Sequence, residues 1–119
     1  MNYFGSFGKD ETEALRILMP VIDGLLDAHQ KGDYDAYSML VADSLKEKVT
    51  REGFKKAHEQ IQPTLGNLCS KRFLGSLNRN TNPMLLFSAK YEACADDILI
   101  NITFVNKSVP PKADWIWIE

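Results

Sequence analysis

The segment from Phe87 to Phe104, FSAKYEACADDILINITF, constrains the fold more than any other part of the sequence. Its apolar and polar residues alternate, which is the pattern of two strands that each bury one face. With the loop placed at Asp96–Asp97, Tyr91 would face Ile102 on a wholly apolar side of the pair, and the other side would be mixed. The sequence therefore predicts an antiparallel hairpin whose apolar side is covered by other elements.

The region before residue 66 has helical spacing instead. Three helix starts are marked by residues whose side chains can accept a hydrogen bond from the first turn: Asp10, Asp33 and Thr50. We expect the second helix to break near residue 43 and to restart for one turn. Pro20 should kink or divide the first helix, and Pro63 should end the third, because a proline ring removes a backbone hydrogen bond.

After Gly66 the period changes from helical to alternating, and turn-forming residues separate the alternating runs. The expected strands cover residues 68–79, 83–95, 98–105 and 114–119. The sequence thus predicts an α+β fold with three N-terminal helices packed on a curved four-stranded antiparallel meander. Residues 1–9 should be an N-terminal arm, either disordered or docked, for example on a neighbouring subunit. Residues 10–119 should form a single domain.

Composition and charge exclude several classes of function. The 119 residues carry a net charge of -2, whereas a nucleic-acid-binding surface usually needs a basic face. No apolar run approaches the ~20 residues of a membrane span, and the composition is typical of a soluble globular protein. The amino terminus lacks the basic start and apolar core of a signal peptide. A cytoplasmic location is the default expectation, with a periplasmic or secreted one as the alternative if a leader was removed.

The order of elements resembles that of the nuclear transport factor 2-like superfamily, a cystatin-like roll, and in particular its small bacterial members. The resemblance depends on a long first helix, the Gly-Asp-Tyr-Asp-Ala turn at residues 32–36, a short third helix ending at Pro63 and Leu65-Gly66, and long strands that follow. It implies a sheet that wraps the helices into a cone with a ligand pocket, and subunits that often pair through the outer face of the sheet. The superfamily includes isomerases, cyclases, dehydratases and binding modules, so the fold alone does not define the activity. No catalytic residue of the ketosteroid isomerase type can be matched in this chain.

Four residues are candidates for lining the pocket of such a cone. In the expected register, Arg72 lies opposite Tyr91 on the apolar face, where the two would hold a small apolar or anionic ligand. The alternative is that Arg72 reaches solvent at the sheet margin. His58 lies on the apolar stripe of the third helix. Its candidate roles are a general base, a hydrogen-bond donor to an anion, and a packed core or boundary residue. Tyr37 is expected mainly to pack.

The last strand is apolar on both faces, which predicts an interface. Trp115 and Trp117 share one face of this strand, and Leu99 and Val105 would extend the same patch from the neighbouring strand. Large exposed apolar patches usually mark contact surfaces, so we expect a homodimer that pairs through the sheet. Burial by the N-terminal arm or by curling of the sheet is the alternative.

The two cysteines allow one covalent hypothesis. If the first hairpin loop is centred near Thr81–Asn82, Cys69 lies opposite Cys94, and the two could form a disulfide in an oxidising compartment. The alternative is two reduced, packed thiols. We expect neither a metal site nor a cofactor, because no cluster has ligand spacing and no glycine-rich phosphate loop follows a strand.

These observations favour a non-catalytic small-ligand-binding or protein-interaction module that is dimeric through its sheet. The alternative function is a small enzyme of the isomerase or cyclase type that acts on an apolar, acid-bearing substrate in the cone pocket. The sequence leaves the ligand, the partner and the compartment open.

Overall fold

The computed structural model describes Phe4, residues 7–106 and residues 108–118. Four helices precede four strands. Their bounds are α1 Glu11–Lys31, α2 Tyr34–Ser38, α3 Asp43–Lys48, α4 Arg51–Leu65, β1 Leu68–Arg79, β2 Asn82–Tyr91, β3 Cys94–Phe104 and β4 Ala113–Ile118. The strands form one antiparallel sheet in the order β1-β2-β3-β4, so the predicted α+β class and four-stranded meander are confirmed. The expected count of three helices is wrong by one, because the short restart is a separate helix.

The predicted helix starts are confirmed by their hydrogen bonds. The Asp10 carboxylate accepts from the Glu13 amide at 2.9 Å, the Asp33 carboxylate accepts from the Ala36 amide at 3.1 Å, and the Thr50 hydroxyl accepts from the Gly53 amide at 3.1 Å. Each bond satisfies an amide that has no partner within its own helix.

Both prolines lie inside helices, so the predicted stop at Pro63 is wrong, and of the two alternatives at Pro20, a kink or a division, the division is excluded. α1 runs through Pro20 because its buried stripe, including Leu18 and Ile22, continues on both sides of the ring. Pro63 lies in the last turn of α4, where only one helical hydrogen bond is lost, and the helix ends at Leu65 with Gly66 as its C-cap.

The core lies between the helices and one face of the sheet, here called the inner face. The buried strand residues alternate along β2 and β3, and they pack on the buried stripe of α1. They are Leu85, Phe87, Ala89, Tyr91, Ile98, Ile100, Ile102 and Phe104. The predicted burial of Tyr91 and Ile102 on the helix side is therefore confirmed. The opposite side of the sheet is here called the outer face.

The predicted register of the central hairpin is wrong, although its faces are right. The turn lies at residues 92–93, with Tyr91 paired to Cys94 and Leu85 paired to Ile102. Ile102 was expected to pair with Tyr91, so the pairing is displaced by six residues along β2. Because six is an even number, every side chain stays on its expected face. Asp97 is not in the loop, and its carboxylate binds the Lys90 ammonium at 2.5 Å from within β3.

A β-bulge overturns the predicted placement of Arg72. Phe73 pairs with Phe87 and Gly75 pairs with Leu86, which leaves Leu74 as an extra residue in β1. One inserted residue moves the side chains on the far side of the bulge to the opposite face. Arg72 therefore pairs with Ser88 and lies exposed on the outer face, not opposite Tyr91 on the inner one.

The described residues of the N-terminal arm dock on this chain's own core. Phe4 and Phe7 are buried, and the Phe7 ring lies edge-on to Phe104 with 6.1 Å between centroids. The cysteines are free thiols; Cys69 is exposed and Cys94 is half-buried. The pairing that motivated a bridge is wrong, because the first turn lies at residues 80–81 and Cys94 belongs to β3.

Candidate functional site

Two concave regions are candidates for a site, one on each side of the sheet. The first, here called the inner cavity, is a small, partly open cavity between α1, α4 and the inner face, with a volume of about 30 Å³. It is lined by Leu26, His29, Gln30, His58, Ile61, Gln62, Leu65, Gly66, Tyr91 and Ile118. Two of the predicted pocket residues, His58 and Tyr91, are therefore brought together there. Ligand pockets usually measure about 300–1,000 Å³. This cavity is far smaller, close to the volume that one water molecule occupies in the liquid.

Tyr37 lies beside the cavity in an aromatic cluster and does not line it. Its ring centroid is 5.2 Å from that of His29 and 4.7 Å from that of Phe54. Burial, together with the neighbouring Tyr34, raises the pKa of Tyr37 to about 12. The packing role that the sequence favoured for Tyr37 is what the structure shows.

A pair of histidines connects α1 to α4. His58 Nδ1 donates a hydrogen bond to the backbone carbonyl of His29 at 3.0 Å, since a carbonyl can only accept. The Nε2 atom of His29 is buried and has no hydrogen-bond partner among the described residues. Burial, and secondarily the proximity of His58, lowers the pKa of His29 from 6.5 to about 4. Its burial thus favours the neutral form of His29. The sequence did not predict this burial, because it depends on packing against Tyr37 and Phe54, which are distant along the chain.

The second candidate is a wide groove on the outer face, here called the tryptophan groove, with a volume of about 960 Å³. It is lined by Lys48, Asn78, Arg79, Asn80, Asn82, Met84, Asn101, Thr103, Asp114, Trp115 and Trp117. The β1–β2 turn forms one side, β4 forms the other, and residues of the two central strands lie between them. Its volume falls within the range of ordinary ligand sites.

The two indoles form the apolar wall of the groove. Trp115 and Trp117 lie two residues apart on the outer face of β4, paired with Thr103 and Asn101. Their rings are nearly parallel, with 12° between planes and 6.0 Å between centroids, and they are 40% and 48% exposed. The Trp115 indole N–H donates to Asn101 Oδ1 at 2.9 Å, which fixes that ring and leaves the Asn101 amide N–H groups for other acceptors.

The β1–β2 turn and the strand residues next to it supply half of the polar lining residues. Asn80 and Thr81 have backbone φ values of 55° and 67°, so the turn is a tight left-handed one, which asparagine tolerates well. The side chains of Asn78, Arg79 and Asn80 line the groove, and none of them has a hydrogen-bond or ion-pair partner within the described part of the chain. The asparagine-rich run NRNTN was visible in the sequence only as a turn signal.

The charges in the groove are few and of mixed sign. Lys48 and Arg79 are cationic, and Asp114 lies close to Lys48. Burial raises the pKa of the Asp114 carboxyl, a bond to its own backbone and the charge of Lys48 oppose that shift, and its Oδ1 atom has no partner among the described residues.

The predicted interface residues divide between the groove and its surroundings. Leu99 is 39% exposed on the outer face and lies outside the groove lining. Val105 is half-buried just after β3, where its amide donates to the Lys112 carbonyl at 2.9 Å. Further exposed leucines on β1, Leu74 and Leu77, extend the apolar surface beyond the groove.

Across residues 4, 7–106 and 108–118 there is no group of three or more metal-ligating side chains, and no helix long and apolar enough to cross a membrane. Comparison of the chain with protein-family models, curated proteins and solved structures finds no match.

Proposed function

We propose that this chain is a non-catalytic binding module whose site is the tryptophan groove. The observation that carries the proposal is the joint placement of two half-exposed indoles and several amide side chains around a groove of about 960 Å³. Exposed aromatic side chains beside unpaired polar groups are typical of binding surfaces. The inner cavity supports an enzyme less well, because about 30 Å³ does not admit a substrate.

The nuclear transport factor 2-like assignment belongs to the same proposal. The helices-then-meander order and the position of the inner cavity between α1, α4 and the sheet support it. In such a cone the inner cavity would be the ligand site, whereas here the large concavity lies on the other side of the sheet.

Self-association through the outer face is the second candidate function. It is favoured by the exposed leucines that surround the groove, Leu74, Leu77 and Leu99, which are 50%, 46% and 39% exposed. A second copy of the chain would cover these side chains in a symmetric pair of sheets.

Native mass spectrometry of protein purified under mild conditions tests both candidates. A binding module should retain a small molecule, which Trp117→Ala should release and the matched control Ile17→Ala, on α1, should retain. Self-association should instead give a mass of two chains at tens of micromolar, and Leu99→Lys should abolish it. A bare single chain in the wild-type protein would contradict self-association, and a bare chain that also binds no added probe in solution would contradict the binding module.

A further inference from the structure

The apolar part of the tryptophan groove is made of two stacked indole rings. Trp115 and Trp117 lie nearly parallel at 12°, and about half of each is exposed. An indole face is a hydrophobic surface with negative π density, and it attracts the weakly positive C–H groups of a saturated ring. The wall is therefore suited to a ligand that has a flat face of C–H groups.

The polar part of the groove is dominated by amides. Asn78, Asn80, Asn82 and Asn101 all line it, and a side-chain amide offers both donors and an acceptor. Asn82 Oδ1 already accepts from the backbone N–H of Asn106 at 2.9 Å, and Asn101 Oδ1 accepts from the indole N–H of Trp115. The remaining amide donors match neighbouring hydroxyl groups, each of which can accept a hydrogen bond as well as donate one.

The charge of the groove argues against a polyanion. Single-stranded nucleic acid also stacks on indoles, but it needs a positively charged channel along its backbone. Lys48 and Arg79 are offset in part by Asp114, and the whole chain carries a net charge of -2. A neutral ligand does not need a positively charged channel.

We propose that the tryptophan groove binds a neutral oligosaccharide. The C–H faces of its pyranose rings pack on Trp115 and Trp117, and its hydroxyls bond to Asn78, Asn80 and the free N–H groups of Asn101. The groove volume, about 960 Å³, lies at the upper end of the range for small-ligand sites, so more than one sugar ring is accommodated. This inference rests on the proposed binding function and names its ligand class.

Titration of the folded chain with defined oligosaccharides tests the inference. The probes are the hexasaccharides of cellulose, chitin, starch, mannan and xylan, with oligogalacturonate and an oligodeoxythymidine as anionic comparisons. Both tryptophans of the chain line the groove, so intrinsic fluorescence reports on this site alone. We expect at least one neutral hexasaccharide to change the emission with a Kd below about 1 mM.

Variants locate the binding. Trp117→Ala should weaken it about tenfold and Asn78→Ala, which keeps both indoles, about fivefold, whereas Ile17→Ala should leave the Kd unchanged. Circular dichroism melting confirms that each variant is folded, and calorimetry gives its Kd.

Other outcomes overturn the inference in distinguishable ways. If no neutral hexasaccharide binds up to about 10 mM, or if binding is indifferent to both groove variants, the sugar assignment is wrong. If only oligogalacturonate or oligodeoxythymidine binds, and Trp117→Ala abolishes that binding, the groove is a binding site for an anion and the proposed function survives. If no probe binds and native mass spectrometry also shows a bare chain, the proposed function fails with it.

Discussion

Replacing Ile100 with alanine is expected to lower the free energy of unfolding by about 2–5 kcal/mol. Ile100 is fully buried on the inner face of β3, where it pairs with Phe87 and Ile118. Removing its side chain loses the transfer free energy of the deleted methylene and methyl groups and leaves a cavity between the sheet and α1. Urea denaturation at low micromolar protein concentration measures the loss.

The adjacent residue is the matched control. Leu99 lies on the same strand but on the outer face, and it is 39% exposed. Leu99→Ala should cost about 1 kcal/mol, because this side chain is 39% exposed on an open face of the sheet and its removal leaves no enclosed cavity. Equal losses for the two substitutions would show that β3 is not divided into an inner and an outer face, and both candidate functions would lose their basis.

The second large effect is the pH dependence set by His29. In the unfolded chain this imidazole titrates near 6.5, and in the folded chain its pKa is about 4. Between these values the unfolded state binds more protons, so stability is fully present above the unfolded pKa and is lost as the pH falls toward 4. From pH about 7.5 to pH about 5, this single group should lower the free energy of unfolding by about 2 kcal/mol.

His29→Phe isolates this contribution. Phenylalanine keeps a ring against Tyr37 and Phe54 and removes both the titration and the unpartnered Nε2 atom. Urea denaturation gives the free energy of unfolding at each pH. Between pH about 7.5 and pH about 5 this free energy should fall by about 2 kcal/mol less in the variant than in the wild-type protein. Parallel curves for the two proteins would mean that His29 is accessible to water in the folded state and is not held neutral.

The faces of the sheet were predictable because they depend on a local period of two. Burial of Tyr91 and Ile102, and the shared face of Trp115 and Trp117, follow from alternation alone and are found in the structure. The same holds for the caps, since Asp10 bonds to an amide only three residues away.

Register and bulges were not predictable in the same way. The hairpin turn at residues 92–93 carries no strong turn sequence, whereas Asp96–Asp97 resembles one, so the local signal favoured the wrong loop. The bulge at Leu74 depends on how β1 and β2 pair across the hairpin. The one sequence signal for it is the neighbouring Gly75, whose φ in the structure is 155°. Arg72 was misplaced for this reason.

Most of the candidate site was hidden for a third reason. The groove unites the β1–β2 turn and the strand ends beside it (residues 78–82), the end of α3 at Lys48, and the last strand, and only the folded sheet brings these distant segments together. The two tryptophans were identified as a surface feature from their spacing, but their polar neighbours were not.

The account depends above all on both tryptophans lining an open groove on the outer face of the sheet. Quenching of their fluorescence by acrylamide tests this most directly, because the chain has no other tryptophan. At low micromolar concentration, where the outer face is uncovered, acrylamide should quench nearly all of the emission, since the indoles are 40% and 48% exposed. Emission at short wavelength that resists acrylamide at the same dilution would place the indoles in the core and contradict the account.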